Sequence, residues 1–231
     1  MKFFSLLGLL SAFLATQHNV AYGQTTIYVP AQVTMNSQRY NTPADNLSAL
    51  AELRQKNPGV KVKMGNVVLP PGDDGTIYCR TYFPIKPGSA VSFGGYVNAA
   101  LFSELRQADL YSENDGRALS IQFETIDFTS FGEGKWMFKA SLSVDDKAVQ
   151  TFSYQHPFEL SFMAAKACGA VTRALAPGVQ AFLKSIYTDA RFQELLASSQ
   201  GEGAKPAVPE VQQAADPAPV VQPDAASVPA K

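Results

Sequence analysis

The sequence predicts an α+β fold: a two-layer sandwich with a mainly antiparallel sheet, helices on one face and one disulfide. Three observations carry this. Strand-like alternation recurs over 118–128, 136–144 and 147–158, with turn signals between the runs. Helical spacing of apolar residues is confined to separate stretches, chiefly 96–111 and 164–196. The two cysteines, Cys79 and Cys168, fall on the apolar parity of a strand and the apolar stripe of a helix. Both would point between sheet and helix.

The chain ends bound the domain. The chain opens MKFFSLLGLLSAFLATQHNVAYGQ. Lys2, the apolar run Phe3–Ala15 and the small residues Ala21 and Gly23 predict a signal peptide over 1–23, cut after Gly23. An uncleaved N-terminal anchor is the alternative. No other run reaches bilayer length, so the mature chain is expected to carry no transmembrane span and to be periplasmic or secreted. From 198 to 231 the chain is rich in Pro and Ala and has no aromatic residue, which predicts a disordered tail. Between the ends lie an N-terminal arm, 24–59, and a sandwich domain, 60–197.

The elements follow in order. Residues 25–34 are β-prone, but Pro30 limits them to an edge strand. Thr42 as a cap, Pro43 at the first helical position and Leu47, Leu50 and Leu53 predict a short helix, stopped by Asn57-Pro58-Gly59. Strands are expected at 60–70 and 76–83, with the turn PPGDDG between. A helix is expected from Tyr96, with Val97, Leu101, Leu105 and Ala108 inward and Asn114-Asp115-Gly116 as its end. In strand 118–128 the apolar parity flips after Phe123, which predicts a bulge or burial on both faces. Trp136, Phe138, Ala140, Leu142 and Val144 alternate cleanly, and Asp145-Asp146 makes a hairpin turn. A long helix follows, which Pro177-Gly178 is expected to interrupt. Thr188 or Asp189 can cap a last piece.

Charge and chemistry exclude several function classes. Lys+Arg 19 against Asp+Glu 20 leaves a net charge of -1, with no field suited to nucleic acid. Gly94-Gly95 matches neither dinucleotide nor P-loop spacing and reads as a flexible helix entry, where glycine tolerates unusual backbone angles or close packing. An anion at that helix N-terminus is the competing reading. His156 stands alone once the leader carrying His18 is removed, so no ordinary nucleophilic triad or zinc site can be assembled. No cofactor is expected. Glu124, Asp127 and Glu133 sit beside Trp136 and offer a carboxylate hydrolase as a minor alternative. In a regular strand, however, Glu124 and Asp127 would face opposite sides. In an oxidising compartment Cys79 and Cys168 read as one bridge. They lie 89 positions apart. A loop of that length corresponds to about 4.5 kcal/mol in chain-entropy models. Tyr96, Asn98, Phe152 and Tyr154 are the candidate interaction surface.

The run from GGYVNAALFSELRQADLY through ALSIQFETIDF, WMFKASLSV and TFSYQHPFEL to the last helix resembles small bacterial envelope proteins. These are the auxiliary lipoproteins of ABC-type envelope transport and the lipopolysaccharide-assembly lipoproteins. The resemblance spans roughly 60–197 and is one of element order. It implies a non-catalytic accessory protein that binds a cell-envelope assembly or transport complex. This chain lacks the cysteine that carries the lipid in those proteins. A small-ligand or lipid-binding module, with an apolar groove between helix and sheet, is the alternative.

Overall fold

The computed structural model describes residues 34–197. The expected leader and its cleavage point, the expected edge strand up to residue 33 and the expected tail lie outside the described residues. In chain order the elements are β1 (Met35–Asn36), α1 (Ala44–Lys56), β2 (Val62–Val68), β3 (Ile77–Cys79), β4 (Phe83–Lys86) and α2 (Phe93–Gln107). They continue with β5 (Arg117–Thr129), β6 (Gly134–Val144), β7 (Val149–Phe158), α3 (Ala164–Thr188) and α4 (Ala190–Ala197). The α+β class holds, with one disulfide, but there are two sheets. The larger runs β2-β5-β6-β7 and the smaller β1-β4-β3. Strand β2 pairs in parallel with β5 and β1 with β4, and the remaining strand pairs among the described residues are antiparallel.

The larger sheet buries one face. Trp136, Phe138, Ala140, Leu142 and Val144 of β6 point inward and are buried. Phe138 stacks on Phe182 of α3 at 5.3 Å between ring centroids. The indole N–H of Trp136 donates to the Val171 carbonyl at 2.9 Å, so its one polar atom is paired inside the core. Between α3 and the sheet, where the alternative reading placed a ligand groove, these side chains are buried against one another. The other face carries Lys139, Ser141, Ser153 and Gln155, a polar surface.

The parity flip in β5 is a bulge. Pairing with β6 slips between Phe123 and Thr125, so Phe123 and Ile126 both face inward. Glu124 is the extra residue. The Asp145-Asp146 turn has φ of 51° and 54°, the left-handed pair a two-residue hairpin needs.

Several expected boundaries are corrected. The strand expected over 76–83 ends at Cys79, because Arg80 and Thr81 turn the chain at φ of 48° and 71°. Helix α2 starts at Phe93, three residues early, and ends at Gln107, short of Asn114. Asp109 takes a positive φ of 54° there, and the Leu110 N–H bonds back to the Leu105 carbonyl, closing the helix. Thr42 does not cap α1. Its hydroxyl instead accepts from the Gln107 amide at 2.8 Å, and Pro43 occupies the cap position.

Pro177 does not interrupt α3. The inward stripe Val171, Leu175, Val179, Phe182 and Ile186 stays in phase through it, while Pro177 itself faces solvent. Packing thus offsets the lost backbone hydrogen bond. Gly178 lets α3 lie close on the sheet: a Cβ there would stand 3.1 Å from the Phe138 ring.

Cys79 and Cys168 are bonded, with their Cα atoms 5.8 Å apart, and both are fully buried. The bridge ties α3 to the smaller sheet. Among the described residues, no helix is long and apolar enough to cross a membrane.

Candidate functional site

The four residues expected to form an interaction surface do not form one. The pairing of Phe138 with Tyr154 and Ala140 with Phe152 puts both β7 aromatics on the same face as Trp136. Phe152 is 3% exposed, lying under the Arg191 guanidinium at 4.8 Å. Tyr154 is half-buried on that same inner face. Tyr96 is 6% exposed, and its hydroxyl donates to the Gln38 carbonyl at 2.9 Å. Burial pushes the Tyr96 hydroxyl up to about 12. Asn98 is half-buried, and its Oδ1 has no hydrogen-bond partner among the described residues.

The N-terminus of α2 is already occupied. Ser92 Oγ accepts the Gly95 N–H at 2.9 Å, and the Asp73 carboxylate accepts the N–H groups of Phe93 and Gly94. The chain's own carboxylate sits where an external anion would bind. At Gly94 a Cβ would stand 2.5 Å from Leu69 Cδ2, so that side chain would have to shift to admit one.

The carboxylates are arranged differently from the expectation. Because of the bulge, Glu124 and Asp127 line one surface cleft of about 250 Å³, together with Asp73. Glu124 is bound to Lys139 Nζ at 2.6 Å and accepts from Ser141 at 2.8 Å. These partners hold its carboxyl below the ordinary value. Asp73 is committed to the helix. Asp127 accepts the adjacent Phe128 N–H, and Glu133 is exposed in the β5–β6 turn. His156 is half-buried beneath α3, and burial lowers its pKa.

Two constellations escaped the sequence reading. The first is Glu104, which is fully buried. Its carboxylate accepts from the hydroxyls of Tyr40 and Tyr187 and from the Asn46 amide, the last two at 2.6 and 2.9 Å. It joins the N-terminal arm, α1, α2 and α3. Among the described residues, no cation takes part. Burial raises the Glu104 pKa, and the three donors oppose that rise. The signal was present: Glu104 lies three residues after Leu101, on the inward stripe of α2.

The second constellation is at the end of the domain where β6 begins. Arg80, in the turn between β3 and β4, spreads its guanidinium over three carbonyls. Nε donates to Ser130, and the two terminal nitrogens donate to Phe162 at 2.7 Å and Ser161 at 3.2 Å. The same group lies 5.4 Å over the Phe131 ring. A planar fork with several donors suits this task, and a lysine could not replace it. The left-handed Arg80 and Thr81 cost of order 1–3 kcal/mol each. The neighbouring disulfide and the clamp hold them in place. The outcome is a display of apolar side chains: Phe162 is 99% exposed, Tyr82 73%, Phe131 68%, Met163 58% and Tyr78 56%.

No family model matches the chain, and no curated protein matches it in sequence. Among solved structures, the chain is similar to a Xanthomonas campestris protein assigned to family DUF330. The TM-score is 0.44 and the identity 14%, covering 72% of this chain and 97% of that one. It is also similar to a second, uncharacterized protein, with a TM-score of 0.39 and 10% identity over 67% of this chain and 97% of the other.

Proposed function

We propose that the chain is a non-catalytic accessory protein that serves an assembly or transport complex of the bacterial envelope, and that it docks at the envelope by its aromatic end. The observation that carries this reading is the Arg80 clamp. It fixes three loops together and turns Tyr82, Phe131 and Phe162 outward. Exposed apolar side chains in such a group are a feature of contact surfaces. The disulfide is compatible with an extracytoplasmic location. The carboxylates nearest to a hydrolytic arrangement are taken up by Lys139 and by the start of α2.

The test is co-fractionation with envelope extracts. The double variant Tyr82→Ser, Phe131→Ser is expected to leave the envelope fraction while keeping the native melting temperature. Retention equal to that of the unaltered chain would count against docking by this end.

A further inference from the structure

We infer that the aromatic end contacts the headgroup layer of a lipid bilayer. This rests on the docking reading and names the partner of that same surface.

The chemistry of the display suits the headgroup layer. Tyr78 and Tyr82 have amphipathic rings, and Phe131, Phe162 and Met163 are apolar. They come from β3 (Tyr78), the β3–β4 turn (Tyr82), the β5–β6 turn (Phe131) and the segment before α3 (Phe162 and Met163). Rings of this kind settle at the boundary between headgroups and acyl chains.

The charge beside this display suits anionic headgroups. Lys166 and Arg173 follow Phe162 and Met163 along the exposed side of α3. Neither has an ion-pair partner among the described residues. Both line a cleft with Ala165, Gly169 and the 159–161 segment, where Glu159 is the opposing charge. Cations on flexible stems beside apolar tips can reach lipid phosphates while the tips insert.

The test is co-sedimentation of the purified chain with vesicles of phosphatidylethanolamine and phosphatidylglycerol, and with phosphatidylcholine alone. Binding is expected to the mixed vesicles, stronger than to phosphatidylcholine. Phe162→Ser with Met163→Ser should weaken it roughly tenfold or more. Val149→Ser alters another exposed apolar residue, 63% accessible, at the opposite end of the sheet and should leave binding unchanged. Native melting of each variant shows that the fold is retained. Binding that the Phe162 and Met163 changes leave intact would overturn the inference. If no vesicles are bound, a photo-crosslinker at position 162 in envelope extracts separates the two readings. Capture of one defined protein overturns the lipid inference and keeps docking by this end. No capture overturns both.

Discussion

Asp73 Oδ2 accepts the backbone N–H of Gly94 at 2.8 Å, while Oδ1 accepts that of Phe93 at 3.1 Å. A loop carboxylate thus neutralises the positive end of α2, and the glycine makes room for the loop. Asp73→Ala should lower unfolding free energy by about 1–2 kcal/mol, since two N–H groups lose a charged acceptor. Urea unfolding measures this. An unchanged midpoint would show that the contact contributes nothing.

The two glycines should behave differently. At Gly94 a methyl group meets Leu69 and the Asp73 carboxylate. Gly94→Ala is expected to cost about 1–3 kcal/mol, because the Leu69 side chain and the Asp73 carboxylate must shift. At Gly95 a methyl group meets only Ser92 Oγ at 3.1 Å. Gly95→Ala should be close to neutral, since Ala favours helix by about 1 kcal/mol over Gly. Equal effects at both positions would remove the packing argument.

Glu104 gives a pH signature. Burial holds its carboxyl above the ordinary value of 4.5 in the folded chain, so the folded state binds the proton more tightly. Its contribution to stability is fully present below about 4.5 and is lost as pH rises through the folded value. The groups facing it, Tyr40, Tyr187 and Asn46, carry no charge in this range. The unaltered chain should therefore lose stability relative to Glu104→Gln as pH rises above 4.5. Parallel pH profiles would refute this. Glu104→Leu strands three donors and should cost about 2–5 kcal/mol.

Removing the bridge with Cys79→Ala and Cys168→Ala should cost about 2–5 kcal/mol. It also frees the residue before Arg80, so the 78–82 turn should become more open to proteolysis. A melting temperature unaffected by reductant would contradict a structural role.

Local pattern made part of this fold legible. The β6–β7 hairpin reads from strict alternation around Asp145-Asp146, and the β5 bulge from the parity change after Phe123. The cysteine pair reads from two apolar faces. The smaller sheet does not, because its strands are two to four residues long and Pro84 lies inside one of them. Tyr154 and Phe152 were misplaced because alternation gives parity and not register. Pro177 stays within a helix because burial of the surrounding stripe outweighs a local rule. Arg80 left no trace in sequence: its three acceptors are 50, 81 and 82 positions away.

We propose that the end clamped by Arg80 is the contact surface. Photo-crosslinkers at 82, 131 and 162, and at 141 and 153 on the polar sheet face, test it in intact envelopes. The account predicts adducts, with lipid or protein, from the first three positions and none from the last two. It also predicts that Arg80→Ala, which releases three carbonyls, reduces those adducts while the disulfide persists. Adducts confined to 141 and 153 would contradict it.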